Sequence, residues 1–539
     1  MKLELPEIRP EERTALVECL LGLIQQLFDR VQQLEETNRQ LRDEIAILKG
    51  QKPRPQISPS RLESPPARPQ REGDKRPGSE KRPKNTQLTI HEEVLLHIAD
   101  LPPEATLKGY EPYVVQELKI QSWNTRYWRA RYELPEGGSL LAPLPAQVLP
   151  GSHFGPTLLS YILDQNYHAH VTQPLLLEQL HDFDIDISAG QLNRILTEDK
   201  EVFHQEKAEL LPAALTVSSY IQTDDTGARH QGRNGFCTVI RNDWFTYFES
   251  TASKNRINFL QVLQGRQRDY AIEDITLAYW KEQKLPAPLV RQLRQGPLYF
   301  ADEAAWQAWL AELQVSDERH VRMATEGALL GGLSARGVSP DLAVLSDGAS
   351  QFVVFVHAAC WVHAERPLAR LIPHSEANRA AIEQVRQQVW ELYHDLKAYR
   401  QQPDAAQQAI LEARFDGLSN ETTGYTNING VLKELREHKA DLLRVLARPE
   451  VPLHNNGSES DIREYVKKRK ISGSTRSEAG RRCRDTFTSL KKTCRKLGVK
   501  FWDYLRDRIC GQGQIPRLGD LIRQRATEIS TPIGEAVPA

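Results

Sequence analysis

Three short segments of the sequence combine carboxylates with small or polar neighbours, an arrangement that suits metal chemistry better than core packing. They are TDDTG at 223–227, SDGAS at 346–350 and HNNGSES at 454–460. Carboxylates that converge from such segments can hold two hard cations, which activate a nucleophile and stabilise the leaving oxygen of a phosphodiester. An isolated Asp at a strand end is usually a turn former, so this pattern alone is a weak indication of function.

The ligand set favours magnesium. All of its donors are oxygens, which Mg²⁺ and Mn²⁺ prefer, and no group of Cys and His residues has zinc spacing. The six cysteines contain no CxxC pair, so buried or idle thiols are the default and no disulfide framework is expected. The sequence therefore predicts two Mg²⁺ ions, with Mn²⁺ as a substitute, and no zinc.

Basic residues follow the third acidic segment on the same predicted helix. Glu459 starts this helix, and Arg463 lies four residues further on. If DNA lies across the helix, the cations hold its phosphate backbone while Glu459 completes the metal site. A solvated basic helix with a Glu459–Arg463 pair also explains the charge, but it does not explain Asn455 and Asn456 before it. The predicted DNA-binding residues are Arg463, Lys467, Lys468, Arg469, Lys470 and Arg476.

The elements that must position the three acids alternate between strands and helices. Short β-rich runs after Leu215 predict three consecutive strands, and DLAVLSDG predicts a buried strand that ends at Asp347. Residues 375–448 carry helical periodicity throughout and predict an all-α insertion. The stretch from Ile257 to Pro340 separates the first two acids, and the sequence does not reveal its role.

The long pattern NNGSESDIREYVKKRKISGSTRSEAG resembles the C-terminal signature of the IS66-type transposases. TDDTG is similar to that family's Asp-acid-Thr motif, and SDGASQF followed by CWVHAER resembles its second aspartate and Cys-Trp-x-His-Ala segment. The resemblance covers roughly residues 90 to 510. It implies an RNase H-like catalytic core with a DDE triad, which maps residue by residue onto Asp224, Asp347 and Glu459 as catalytic residues and metal ligands.

Four further residues are expected to support this triad. Asp225 is a second acid or a spare ligand, and His363 has either a catalytic or a packed core role. Asn455 and Asn456 are expected to cap the helix that carries the glutamate. Many members of the resembled family carry a cysteine-rich zinc-binding segment before the catalytic core, whereas residues 88–150 contain no cysteine.

A heptad pattern runs from Val17 to Leu48, with Leu at every d position and mostly Val or Ile at the a positions. This pattern favours a parallel two-stranded coiled coil, so we expect self-association through residues 17–48. A single amphipathic helix packed on its own domain is the alternative. Residues 51–87 hold eight prolines and ten Lys or Arg against four acids, a balance of +6. They are expected to form a disordered linker.

Two segments before the first acid leave alternatives open. In TRYWRARYEL, at 125–134, arginines alternate with aromatic residues, which suits either a half-buried strand or a nucleic-acid contact. Residues 171–198 predict two helices with a tight connection, the second capped by Ser188. A helix-turn-helix is one interpretation, but acids at 182, 184 and 186 in the turn would repel phosphate.

The composition, with 40% hydrophobic and 26% charged residues, is ordinary for a globular protein. No apolar run approaches the roughly 18 residues of a membrane span, and the charged start of the chain is unlike a signal peptide. We therefore expect a location in the bacterial cytosol or nucleoid and no membrane partner. A chain of 539 residues is also too long for one core.

These observations predict an α/β catalytic core of RNase H-like type with a large α-helical insertion, an N-terminal coiled coil and a mainly α C-terminal part. The expected domains are a coiled coil (11–50), a basic Pro-rich linker (51–87), a small β-containing domain without zinc (88–150), a helical region with a helix-turn-helix as one interpretation (151–215), the catalytic core (216–370) with an insertion at about 266–340, an α-helical insertion (371–450), and the Glu459 helix with basic C-terminal helices (451–525).

The predicted function is that of a DDE transposase that cuts the ends of an insertion sequence and joins them to target DNA. Two alternatives stay open, namely a dimeric DNA-binding protein that no longer cuts, and an RNase H-like nuclease without strand transfer. The predicted partners are element-end and target DNA, a second copy of the chain, and accessory proteins encoded by the element.

Overall fold

A computed structural model describes residues 89–530 apart from 98–99, 101–104, 106, 146–147, 150 and 374. The described residues divide between two units, one ending at Gln121 and one beginning at Ser122. In the first unit, residues 89–121 contain no helix or strand where they are described. The predicted coiled coil at 17–48 and the predicted linker at 51–87 lie outside the described residues.

Strands of the second unit form three sheets in the described part of the chain. Their bounds are β1 (Arg131–Glu133), β2 (Ser139–Leu141), β3 (Tyr220–Gly227), β4 (Phe236–Arg241), β5 (Thr246–Thr251), β6 (Tyr270–Ala271), β7 (Tyr299–Phe300), β8 (Ala343–Ser346) and β9 (Val356–Ala359). The central sheet has the order β5-β4-β3-β8-β9. Its first three strands in sequence are antiparallel, and β8 and β9 continue it in parallel.

Helices make up most of the remaining described residues. Their bounds are α1 (Pro156–Leu163), α2 (Gln173–Asp182), α3 (Ala189–Thr197), α4 (Glu201–Leu215), α5 (Arg256–Gln264), α6 (Asp274–Glu282), α7 (Ala287–Leu293), α8 (Glu303–Glu312), α9 (Glu318–Ala335), α10 (Trp361–Arg370), α11 (Glu376–Tyr399), α12 (Ala405–Ser419), α13 (Thr426–Glu437), α14 (Lys439–Leu442), α15 (Arg444–Ala447), α16 (Asn456–Ser472), α17 (Glu478–Lys496), α18 (Phe501–Cys510) and α19 (Leu518–Ser530). The α/β core expected from the sequence is therefore present, within a mostly helical chain. Among the described helices, none combines the length and the apolar character needed to cross a membrane.

The apolar residues are buried in two large clusters. One cluster surrounds the central sheet and the helices before and after it, with Ile221, Ile240 and Val344 fully buried. The other lies within α10–α15, where Trp361 packs edge-on against Phe415. Because burial of one such side chain contributes about 1.5–3 kcal/mol, each cluster can stabilise its own part of the chain.

Helix α17 covers the outer edge of the sheet. Three of its side chains accept hydrogen bonds from alternate backbone N–H groups of β5, with Asp485 accepting from Ser250 at 2.8 Å. Ser489 accepts from Phe248 at 2.9 Å and Thr493 accepts from Thr246 at 3.1 Å. Four residues of a helix and two residues of a strand both rise by about 6 Å, so the two spacings match. The helix thus supplies partners that a further strand would otherwise provide.

Residues 125–134, before the central sheet, do not form the half-buried strand that was one of their two predicted structures. Of TRYWRARYEL only Arg131–Glu133 is a strand, and it is exposed throughout. Trp128 is 87% exposed and Tyr132 is 65% exposed, so the half-buried strand is not formed. In the following helical region Ser188 caps α3 together with Gln191, as predicted.

Candidate active site

Asp224 lies on β3, and Asp347 directly follows the adjacent parallel strand β8. The register of β3 and β8 pairs Gln222 with Leu345, and Asp224 and Asp347 each lie two residues further on. Side chains two residues apart share one face of a sheet, and neighbouring strands are about 4.8 Å apart. The two carboxylates are therefore next to each other at the same end of the sheet. Asp347 is exposed just beyond the end of β8.

The acids crowd one another at Asp224. Burial, with smaller contributions from the negative charges of Asp347, Asp225 and Glu459, raises the pKa of Asp224 to about 7. A hydrogen bond of 2.7 Å from the backbone N–H of Asp225 opposes this rise. The other two predicted triad carboxylates therefore both act on Asp224, and an ionised Asp224 is unfavourable without a compensating cation.

Asp225 fixes the loop that carries Asp347. Its Oδ2 accepts a hydrogen bond of 2.9 Å from Gln351, and its Oδ1 lies 3.8 Å from the Lys254 Nζ. Burial raises the pKa of Asp225, whereas Lys254 and the Gln351 hydrogen bond lower it. Because Gln351 lies four residues after Asp347, Asp225 supports the site by holding this loop.

The sequence did not reveal the role of residues 266–340. Two residues of this segment contact Arg256, which lies just before it and binds the Asp347 loop. The Arg256 guanidinium donates to the Ser350 carbonyl at 2.6 Å and to the Tyr279 hydroxyl at 2.9 Å. It also lies 3.6 Å from the buried carboxylate of Glu326, which accepts from Tyr279. Helices α6 and α9 therefore support the Asp347 loop, through contacts that no local sequence pattern indicates.

Glu459 is brought to the site by hydrogen bonds at the start of α16. The Asn455 side chain donates to the Thr223 carbonyl at 2.8 Å, and Gln222 donates to the His454 carbonyl at 3.2 Å. Both bonds tie the helix to the part of β3 just before Asp224. Asn455 precedes α16, but its side chain accepts no bond from the helix N–H groups. Its predicted capping role is therefore wrong, because its amide joins the helix to the strand instead.

Asn456 is half-buried and is the first residue of α16, so it lies inside the helix and its predicted capping role is also wrong. The next residue, Gly457, lies against Arg241 and Gln222, which are themselves hydrogen-bonded to each other. A Cβ atom at this position would overlap the Arg241 guanidinium and the Gln222 amide. The absence of a side chain at Gly457 therefore lets the Glu459 helix approach β3 closely.

Gly457→Ala is expected to destabilise the protein by about 1–3 kcal/mol, because both overlapped side chains are held on the sheet. It should also reduce any cleavage activity, since α16 must shift away from β3 and take Glu459 with it. Gly430→Ala is the matched control, because Gly430 is an exposed residue of α13 with open space where a Cβ would lie. Thermal unfolding of both variants checks this, and equal melting temperatures would contradict it.

In this structure the Glu459 carboxylate lies close to two side chains of α10, the His363 imidazole and the Arg366 guanidinium. The His363 Nε2 is 3.5 Å from Glu459 Oε1, and the Arg366 Nη2 is 3.6 Å from the same atom. The pKa of His363 is lowered by burial and by Arg366, and Glu459 and Asp347 offset only part of this fall. His363 therefore faces the site, whereas Trp361 on the same helix is buried in the helical cluster.

Within the described residues, no three His, Cys, Asp or Glu side chains lie close enough to hold a metal ion as they stand. The three predicted ligands nevertheless present only carboxylate oxygens, the donors that Mg²⁺ and Mn²⁺ prefer. Their mutual repulsion at Asp224 is also what a divalent cation would relieve. The residues therefore fit a hard divalent cation in donor chemistry and in charge.

Four of the six residues predicted to bind DNA are exposed. Arg463, Lys467 and Lys470 follow Glu459 on α16 at intervals of four, four and three residues, so they continue from it along one face of the helix. Arg476 is exposed in the segment between α16 and α17. Among the described residues, these four cations form no ion pair.

The other two residues predicted to bind DNA, Arg469 and Lys468, are not exposed. Arg469 is half-buried, with its Nη1 3.4 Å from the Thr226 hydroxyl at the end of β3. Lys468 is only 5% exposed and donates to Asn166, 3.2 Å from its side-chain oxygen. Burial, with smaller effects from nearby cations, lowers the pKa of Lys468 to about 7. Lys468 is therefore a buried residue of the helix packing, which corrects its prediction as a DNA-binding residue.

Comparison with known proteins gives two findings. A family model described as "Transposase IS66 family" matches residues 345–482, the range that includes Asp347, Glu459 and the cations of α16. The chain is also similar to an uncharacterized protein, y4jO, of Sinorhizobium fredii (strain NBRC 101917 / NGR234), with 40% identity over 321 residues. The match covers 59% of this chain and 100% of that relative, whose printed name states no activity.

Proposed function

The chain belongs to the IS66 family of transposases, and on that basis we propose that it cuts and joins DNA by metal-dependent phosphoryl transfer. The observation that carries this proposal is that adjacent strands place Asp224 and Asp347 side by side, while Asn455 joins the Glu459 helix to the residue before Asp224. The charges of Asp347 and Glu459 also raise the pKa of Asp224. Such crowding of carboxylates costs stability, and a two-metal site is a chemical reason to keep it.

The sheet supports an RNase H-like arrangement of the catalytic core. Its order is β5-β4-β3-β8-β9, with an antiparallel meander of β3, β4 and β5 followed by the parallel strands β8 and β9. On this arrangement the first acid lies on the central strand β3, and the second acid follows the adjacent strand β8. The third acid comes from α16, which is hydrogen-bonded to β3.

Asp224, Asp347 and Glu459 would hold the divalent cations. Bound Mg²⁺ would lower the pKa of an attacking water and stabilise the oxygen that leaves the phosphorus. Glu459 can take part only if its carboxylate leaves His363 and Arg366, its partners here. Asp225 and Arg256 hold the Asp347 loop in place through Gln351 and Ser350.

The proposed reaction has two phosphoryl-transfer steps. In the first, water attacks a phosphorus at the element end, and the bond to the 3′ oxygen breaks to release a 3′ hydroxyl. In the second, that hydroxyl attacks a phosphodiester of target DNA and displaces a new 3′ hydroxyl. The exposed cations of α16, namely Arg463, Lys467 and Lys470, would hold the DNA backbone next to Glu459.

Dimerisation remains a prediction from the heptads at 17–48, which lie outside the described residues. A dimer would bring two active sites to the two ends of one element, which raises the effective concentration of the second end. Accessory proteins encoded by the element are a further predicted partner.

The test is to incubate the purified full-length chain with DNA that contains the element ends, in Mg²⁺, Mn²⁺ or EDTA. Joined products that require a divalent ion are the expected result. Cut products without joining would instead indicate a nuclease, and bound but intact DNA would indicate a DNA-binding protein that does not cut. Either of these two outcomes would overturn strand transfer.

A further inference from the structure

The turn between β3 and β4 is fixed against the segment that follows α16. The Gln231 N–H donates to the Thr475 carbonyl at 2.9 Å, and the Thr475 N–H donates to the Arg229 carbonyl at 3.3 Å. The His230 ring and the Thr475 hydroxyl are also hydrogen-bonded, at 2.8 Å. We call residues 228–235 together with 473–477 the hairpin patch. Its two parts form one ordered surface, although they are distant in sequence.

The hairpin patch carries positive charge without acids. Arg229, Arg233 and Arg476 are exposed, and neither 228–235 nor 473–477 contains Asp or Glu. Among the described residues these three arginines form no ion pair. The nearest acid in sequence, Glu478, lies 2.6 Å from Arg481 and 3.6 Å from His230, so its charge is already shared. The charge of the patch is therefore left for an external anion.

The position of the patch relates it to the carboxylates. Strand β3 carries Asp224 and runs directly into the turn, so Arg229 follows Asp224 by five residues. An extended chain of that length spans about 17 Å. Because one DNA strand has a phosphate about every 3.4 Å of axis, this distance covers about five phosphates. Arg469 lies between the two places, beside Thr226.

The backbone of the turn is open to a close neighbour. Gly232 has a φ of +78°, and no atom lies within 4 Å of the position that a Cβ would take. The Arg229 side chain donates to the Gly232 carbonyl at 3.0 Å. This bond orients the carbonyl towards Arg229. A bound phosphate would therefore meet an open turn flanked by two arginines.

We propose that the hairpin patch binds the phosphate backbone of the DNA strand that is cut, through Arg229 and Arg233, about five nucleotides from the carboxylates. The inference rests on the proposed function and adds to it a second DNA contact, formed by the β3–β4 turn. On this arrangement, α16 and the turn hold the DNA on two sides of the end of β3.

The experiment measures the salt dependence of DNA binding by the full-length chain, with a short fluorescent duplex of mixed sequence as the probe. Log K falls linearly with log salt concentration, and each lost phosphate contact reduces the steepness of this fall by about 0.9. Arg229→Ala/Arg233→Ala should therefore reduce it by about 1.8. The double Arg→Lys variant should keep the slope, because it keeps both charges. Arg233→Ala alone should lower it by about 0.9 and leaves the Arg229–Gly232 bond in place.

Arg291→Ala/Arg294→Ala is the matched control, since both arginines are exposed at α7 and the net charge changes equally. A wild-type slope in the two hairpin Arg→Ala variants, with normal binding by the wild type, would overturn the hairpin proposal and leave the proposed function standing. An equal fall in the control would also overturn it, because net charge alone would then explain the effect. Failure of the wild-type chain to bind DNA would instead overturn the proposed function.

Discussion

Asp347→Asn is expected to abolish DNA cleavage and to leave DNA binding unchanged. The amide keeps the shape of the side chain, and its oxygen can still accept the hydrogen bond from the Ala349 N–H. The amide lacks the negative charge that a divalent cation requires. Because residue 347 is exposed, the fold does not depend on its side chain. Metal ions supply several kcal/mol to phosphoryl transfer, so the rate should fall by at least about a thousandfold.

The measurement is a cleavage assay on end-containing DNA in Mg²⁺, with binding followed separately by fluorescence anisotropy. Asp341→Asn is the matched control, because Asp341 is an exposed acid just before the same strand. It should cut at the wild-type rate. Cleavage by Asp347→Asn at a similar rate would show that this carboxylate is not a metal ligand.

Asp224→Asn is expected to stabilise the metal-free protein at pH 8 while it abolishes cleavage. The pKa of Asp224 is raised to about 7 from an ordinary 3.8, chiefly by burial. As the pH rises from 4 to 7, the unfolded chain loses this proton first, so the wild type loses stability across that window. Above pH 7 the loss is complete, and it amounts to about 1–4 kcal/mol. The neutral amide avoids this loss.

Chemical denaturation in EDTA at pH 4.5 and at pH 8 measures this effect. The stability gained by Asp224→Asn should be small at the lower pH and full at the higher one. Added Mg²⁺ should then stabilise the wild type but not the variant, since a ligand that binds only the folded state raises stability. Asp341→Asn again serves as the control and should show no such pH dependence. A gain that is equal at both pH values would refute the raised pKa.

Local sequence patterns indicated which elements carry the candidate site residues. The three acidic segments lie at strand ends or at a helix start, and the charges of Asp347 and Glu459 both raise the pKa of Asp224. The exposed face of α16 also follows from its helical spacing. Lys468 was assigned to the wrong side because the buried face of this helix is itself polar. It includes Asp461, which is paired with Lys492 and Lys496 of α17.

The supporting contacts could not be predicted, because each joins residues that are far apart in sequence. Asn455 donates to a strand 232 residues away, and Arg256 binds a carbonyl 94 residues away. Helical and strand periodicities describe only neighbours, so they contain no information about such pairs. A local pattern can also mislead. The aromatic residues at 127, 128 and 132 follow a strand-like pattern, but they are exposed and do not form a buried strand.

The cover over the sheet edge has a consequence for biosynthesis. Ser250 of β5 precedes its partner Asp485 by 235 residues. At about 5–20 residues per second, a ribosome needs about 12–47 s to make the intervening chain. During that interval the nascent polypeptide carries an open strand edge that can pair with another nascent chain. Slower growth at low temperature and an ample chaperone supply should therefore increase the yield of folded protein.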